Sequence, residues 1–295
     1  MRFPIIDMKN MVITGASGYL GSALVKRFSC KYKLIRLSHK SKVQGYLTID
    51  LTDEEQVSKF AKNCNADYIL HTAGKKAKFC EENPESSLVN FRSSQLITKY
   101  FPSSLIYYFS SDFVFDGFKG NFKETDTPNP STIYGVTKLK GENSYDLKKH
   151  CIIRTSGLFD INEKGFVNYV ISQLSQGKKV EAFTDICNTP TYLPYFCNYL
   201  EAMIKLNLAG LFHVCGSERV SRFEFAKLIA KTFGYDEDLI TRRIAPKSFL
   251  NPRDSSLDSS KIRNLLNLEW KSLTYALEDM YNKSLNYGTE KLSYE

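Results

Sequence analysis

The sequence predicts an α/β protein, a Rossmann-type doubly wound parallel sheet with a smaller C-terminal substrate-binding lobe. Three observations predict it. Short β-rich apolar runs alternate with amphipathic stretches as far as Thr155. A glycine-rich turn, Thr14-Gly15-Ala16-Ser17-Gly18-Tyr19-Leu20-Gly21, joins the first run to the first amphipathic stretch. Beyond Thr155 the alternation becomes less regular, as expected of a lobe added to the sheet.

The strand candidates are MVIT (11–14), YKLIRL (32–37), YLTID (46–50), DYILHT (67–72), SLIYYFS (104–110) and CIIRT (151–155). Between them SALVKRF, EEQVSKFAKN and SLVNFRSSQLITKYF carry apolar residues at three- and four-residue spacing, which makes them crossover helices of βαβ units. Asn83 before Pro84 predicts an N-cap with proline in the first turn. Helices are expected near 165–177 and 192–206, with a strand at LFHVC (211–215). Ser221-Arg222-Phe223-Glu224 reads as a capping box opening a helix that Gly234 stops. The expected division is a dinucleotide-binding domain over 8–160, with returning elements near 192–216, and mainly the substrate-binding lobe over 161–295.

In the glycine turn, Gly15 suits the tight turn, Gly18 the close approach of a pyrophosphate, and Gly21 helix-on-strand packing. The helix N-terminus adds amide donors and a positive dipole end. Gly15, Ser17, Gly18, Tyr19, Leu20 and Gly21 are therefore the cofactor candidates here. Arg36-Leu37-Ser38-His39-Lys40, at the end of the second strand, holds no carboxylate. A carboxylate there would pair with ribose hydroxyls, whereas Ser38, His39 and Lys40 can donate to a 2′-phosphate. NADPH is the expected cofactor, with NADH possible. Asp50, followed by Leu51, suits the adenine amino group or a cap on the next helix. His71 ends the fourth strand without a carboxylate or second histidine near it in sequence, and is expected to be packed.

Tyr134 and Lys138 lie four residues apart, on one face of a helix. A phenol with a pKa near 10 is a poor proton donor, and a neighbouring cation is expected to lower it. Ser110 and Ser111 end the fifth strand, at the sheet edge where ligands bind in this architecture.

Composition narrows the function classes. The net charge of +8 is interleaved with acids, without a basic block, so nucleic acid is not an expected partner. Neither a membrane span nor a signal peptide is legible, and a cytoplasmic location is expected. Seven cysteines with no CxxC pair point to reduced thiols rather than disulfides or zinc, and no metal is expected.

TGASGYLG, SSDFVFDG, PNPSTIYGVTKLKGE, RTSGLF, PTY, GLFHVCGSERVSRFEFAKLIA and PRDSSLDSSK occur in that order over about residues 10–265. This series resembles the extended short-chain dehydrogenase/reductase family and, within it, the dTDP-4-dehydrorhamnose reductases. The resemblance implies that Tyr134 protonates the C4 oxygen of a nucleotide-linked 4-ketosugar, that Lys138 holds the nicotinamide ribose, and that Ser111 orients the carbonyl, with Ser110 as second choice. It also implies cofactor contacts from Ala73, Gly74 and the Thr155–Ser156 stretch, a structural or cofactor-side role for Asn90, and substrate contacts from Asn188, Thr189 and Thr191. Relatives carry arginine where this chain has Asn251, so Arg253 is expected to meet the diphosphate or else specificity differs. The assembly is expected to be a monomer or homodimer. Two other readings fit the motifs: a reductase or epimerase-reductase of another nucleotide-linked ketosugar, and a non-catalytic subunit like the regulatory subunit of methionine adenosyltransferase.

Overall fold

The computed structural model describes residues 8–39, 44–162, 165–249 and 251–291. In chain order the elements are β1 (Asn10–Thr14), α1 (Tyr19–Phe28), β2 (Lys33–Ser38), β3 (Leu47–Thr48), α2 (Glu54–Lys62), β4 (Tyr68–His71), α3 (Ala77–Glu82), α4 (Val89–Tyr100), β5 (Leu105–Ser111), α5 (Ile133–Glu142) and β6 (Cys151–Thr155). There follow β7 (Leu158–Phe159), α6 (Phe166–Leu174), β8 (Val180–Phe183), β9 (Cys187–Asn188), β10 (Thr191–Tyr192), α7 (Leu193–Lys205), β11 (Gly210–His213), β12 (Val220–Ser221), α8 (Arg222–Phe233), β13 (Ile240–Arg243), α9 (Ser260–Leu266) and α10 (Leu273–Lys291).

The chain divides into two compact units. One takes in the chain to Val114 with Pro130–Arg154 and Leu200–Phe212. Its sheet runs β11-β6-β5-β4-β1-β2-β3, and β1 pairs in parallel with both β2 and β4, so the strand order reverses beside β1. That reversal opens a crevice at the carboxyl ends of the strands. β4 and β6 are buried along their whole length, as parallel strands covered on both faces must be. Val12, Val57, Ile69, Leu96, Ile97 and Ile106 form one core between the sheet and α2 and α4. Asp53 caps α2 by accepting from the amides of Glu55 and Gln56.

The second unit holds Phe115–Asn129, Thr155–Tyr199 and the chain from His213 onward. Its core joins α6, α8 and α10 through Val167, Val170, Phe225, Ile229, Leu277 and Met280. The capping box of α8 is complete, and Gly234 ends that helix in the left-handed conformation at φ 72°.

Two expectations need correcting. Asn83 makes no cap bond: its side-chain amide donates back to the carbonyl of Phe79, and Pro84–Leu88 is a 3₁₀ turn ahead of α4. The third strand is only Leu47–Thr48, an exposed edge with little to bury. Five of the cysteines are buried, with Cys30 exposed and Cys64 half-buried. Among the described residues no helix is long and apolar enough to cross a membrane.

Candidate active site

The glycine turn is shaped by close approach. Gly15 has φ +62°, and a Cβ on it would lie 2.9 Å from the backbone of Ala73. A Cβ on Gly21 would lie 2.2 Å from the Gly15 carbonyl oxygen, so only glycine lets α1 start this close to the turn. The amide of Ala16 donates to the Leu37 carbonyl at 2.9 Å, and the hydroxyls of Ser17 and Ser38 are 2.8 Å apart. These bonds tie the turn to the end of β2.

A cleft of about 1120 Å³ opens beside it, large enough for a dinucleotide. Gly15, Ser17, Gly18, Ser38 and His39 line one part, and Asp50, Leu51, Ala73 and Gly74 another. Asp50 does not cap α2. Its Oδ1 accepts from the amide and hydroxyl of Thr52, at 2.9 and 2.7 Å, leaving Asp53 as the cap. Tyr19, Leu20 and Gly21 lie in the first turn of α1 and are not among the lining residues, and Lys40 lies outside the described residues. Asn90 also stands behind the wall: its Oδ1 accepts from the Lys75 amide at 2.6 Å, while its Nδ2 donates to Thr137 Oγ1 at 3.1 Å. It pins the turn after β4 to α5. Sequence reasoning missed Lys75, Phe91 and Arg92, which line the same cleft. Their signal was position, just after the fourth strand and in the first turns of the next long helix.

Gly15, Ser17 and Gly18 line the cleft just ahead of the N-terminus of α1, and the glycines let the turn pack against Ala73 and its own backbone. No carboxylate stands at the end of β2. The residues present therefore fit a dinucleotide with a phosphate on its adenosine ribose.

Ser111 and Tyr134 meet at the end of β5. Thr132 caps α5 by accepting from the Gly135 amide at 3.0 Å, and Glu81 of α3 accepts from the Tyr134 amide at the same distance. A Cβ on Gly135 would sit 2.0 Å from the Phe113 carbonyl oxygen, so α5 begins hard against the turn that follows Ser111. The Ser111 hydroxyl donates to Asp112 Oδ1 at 2.9 Å. Burial pushes the Tyr134 phenol well above its usual value; a hydrogen bond with Ser111 opposes this, and the Asp112 carboxylate adds to it.

Lys138 behaves differently from the sequence expectation. It is buried, its Nζ donates to the Phe109 carbonyl at 2.5 Å, and it sits 4.2 Å from the centre of the Tyr108 ring. Burial lowers its pKa to about 7, opposed by Glu142 and Cys80. With the ammonium drawn to β5, burial dominates at Tyr134, whose pKa is raised instead of lowered.

The two serines are separated by the strand pleat. Ser110 donates to Glu142 Oε1 at 2.5 Å, and Glu142 in turn accepts two bonds from Arg154, at 2.9 and 2.7 Å. Ser110 is thus turned away from Tyr134. His71 bonds Thr14 Oγ1 at 2.8 Å and Ser93 Oγ at 3.1 Å, and burial holds its pKa down to about 3. It is packed, as its sequence context suggested.

In the second unit, the candidate residues are largely engaged with backbone. Thr191 donates to the Ser156 carbonyl at 2.6 Å, and Thr189 Oγ1 accepts from the Leu257 amide at 3.3 Å. Asn188 is buried against Gly157, whose Cβ would lie 2.7 Å from its Nδ2. The Thr155 hydroxyl is buried and has no hydrogen-bond partner among the described residues. Arg253, a partly exposed side chain, is already engaged within its own unit. It pairs with Asp185 at 2.7 Å and donates to the carbonyls of Ala245 and Pro246 at 3.1 and 3.0 Å, which bind it into its own unit.

The chain is 34% identical to the solved structure of a hypothetical dTDP-4-dehydrorhamnose reductase from Sulfolobus tokodaii, with a TM-score of 0.83 over 90% of this chain and 98% of that one. It is 28% identical to a probable low-salt glycan biosynthesis reductase, Agl14, of Haloferax volcanii, covering 86% of this chain and 91% of that protein. It is 26% identical to methionine adenosyltransferase 2 subunit beta of Danio rerio, covering 92% and 90%. The sequence pattern described as the RmlD substrate binding domain matches residues 8–286, and the chain belongs to that family.

Proposed function

We propose that the protein is an NADPH-dependent reductase of the 4-keto group of dTDP-4-dehydro-β-L-rhamnose, forming dTDP-L-rhamnose. The observation that carries this reading is Ser111 at the carboxyl end of β5, with Tyr134 in the first turn of the helix that begins hard against the following turn, in a parallel sheet whose glycine turn opens a dinucleotide-sized cleft. Likeness to a reductase at 34% identity supports it.

Gly15, Ser17 and Gly18 hold the pyrophosphate, with Ser38 and His39 toward the 2′-phosphate and Asp50 toward the adenine. When bound, the reduced nicotinamide supplies a hydride. Ser111 orients the carbonyl oxygen, and Tyr134 delivers a proton to it as charge develops. The raised pKa keeps Tyr134 protonated before the reaction but also makes it a weak acid, so giving up its proton needs stabilisation of the phenolate. Lys138, in its ammonium form, holds the nicotinamide ribose and stabilises the tyrosinate left behind.

Consumption of NADPH and of NADH, with the ketosugar made in situ by a separate epimerase, tests the reading. Sugar-dependent oxidation of NADPH is expected. Tight NADPH binding without oxidation would reject it and favour another nucleotide-linked ketosugar. A second reading, a non-catalytic regulatory subunit, is favoured by the likeness to the methionine adenosyltransferase subunit. Stoichiometric capture of a synthetase with no ketosugar turnover would select it.

A further inference from the structure

Glu142 is a buried carboxylate at the last position of α5, one turn beyond Lys138, with a relative exposure of 6%. A lone ion there would carry a large desolvation cost, yet all its partners come from the sheet it faces. Arg154 of β6, 2% exposed, holds it through two bonds, and Ser110 of β5 gives it a third at 2.5 Å. The same stretch of β5 supplies the Phe109 carbonyl to Lys138 and carries Ser111. Two consecutive residues of one strand thus bond Lys138 and Glu142, and the next, Ser111, ends the strand at the turn against which α5 begins.

We propose that Glu142, held by Ser110 and Arg154, is a positioning residue for the reaction: it locks the end of β5 to α5, setting Ser111 against Tyr134, and keeps a negative charge one turn from the Lys138 ammonium. The proposal rests on the reductase reading for Ser111, Tyr134 and Lys138. The groups facing Lys138 are Glu142 on α5, Cys80 on α3, the Tyr108 ring on β5 and His71 on β4, which stays neutral because burial holds its pKa to about 3. Glu142 is the carboxylate among them, and it works to keep Lys138 charged.

The test compares wild type, Glu142→Gln and Glu142→Asp, each first shown to melt cooperatively. Two quantities are measured between pH 6 and 9: kcat at saturating NADPH and ketosugar, and NADPH affinity without sugar. Glu142→Gln is expected to lower kcat about tenfold or more and to move the fall in NADPH affinity to lower pH. Glu142→Asp, which keeps the charge but shortens its reach, is expected to return the pH dependence toward wild type with only partial recovery of kcat. A folded Gln variant with wild-type kcat and pH dependence would overturn the proposal. If the Gln variant does not fold, Ser110→Ala keeps the ion pair and cuts only the strand link. A several-fold lower kcat at unchanged NADPH affinity is then expected, and an unchanged kcat overturns it. The affinity measurement needs no sugar, so a wild type that binds NADPH without turnover would reject the substrate reading while the Glu142–Lys138 coupling is still read.

Discussion

The hydroxyl of Ser17, in the glycine turn, lies 2.8 Å from that of Ser38, the last residue of β2. The bond places a neutral hydroxyl pair in the cleft at the site where a ribose-binding carboxylate would otherwise stand. Replacing Ser38 with Asp would put a negative charge there, repelling a 2′-phosphate and offering an acceptor to a ribose hydroxyl. The ratio of kcat/KM for NADPH over NADH is expected to fall at least tenfold, a change of about 1.4 kcal/mol. An unchanged ratio would mean that the 2′-phosphate is read elsewhere.

Tyr134→Phe removes the proton donor and leaves a ring of nearly the same shape beside Phe113. Turnover is expected to fall by roughly 10² to 10⁴-fold with NADPH affinity nearly unchanged. Wild-type kcat in this variant would take Tyr134 out of the mechanism.

If Lys138 holds the nicotinamide ribose as proposed, NADPH binding is expected to depend on pH. The Lys138 pKa of about 7 means that the ammonium is present below neutrality and is lost as pH rises. A charged donor to an anionic ligand is worth about tenfold in affinity, so the Kd for NADPH is expected to rise by that order between pH 6 and 8.5. In Lys138→Met the rise should flatten and the affinity at pH 6 should drop. Parallel curves for the two proteins would show that Lys138 does not touch the cofactor.

His71 gives a stability signature. Folded, it resists protonation down to about pH 3; unfolded, it takes a proton near 6.5. Acid therefore favours the unfolded chain across that window. Stability present above pH 6.5 is lost on the way to pH 3, on the order of 5 kcal/mol from this group. Urea midpoints at pH 7 and pH 4.5 should converge in His71→Gln relative to wild type. An identical acid loss in both would assign it to other groups.

Much of the fold was legible because it is encoded locally. Apolar periodicity marked β1, β4, β5 and β6 and the helices between them, and the Ser221–Glu224 box and Gly234 set both ends of α8 within a single helix. Gly15, Gly18 and Gly21 could be read because turn geometry and helix packing demand glycine at fixed offsets. The identity of Tyr134, Lys138 and Ser111 as a set came from motif order. What each side chain bonds was decided only by tertiary structure, since the partners are remote in sequence. Ser110 and Ser111 are equivalent hydroxyls until Glu142, from a different element, claims the first. Arg253 reads as a diphosphate ligand, and only the fold shows that Asp185 and two carbonyls engage part of its guanidinium. Lys138 reads as a cation beside a phenol until burial and the Phe109 carbonyl draw it to the strand. The sequence by itself determined the order of elements and the residue types at the sheet edge, through spacing and propensity; long-range burial and hydrogen bonding determined their charge states and partners, because desolvation and pairing depend on neighbours that only folding brings within reach.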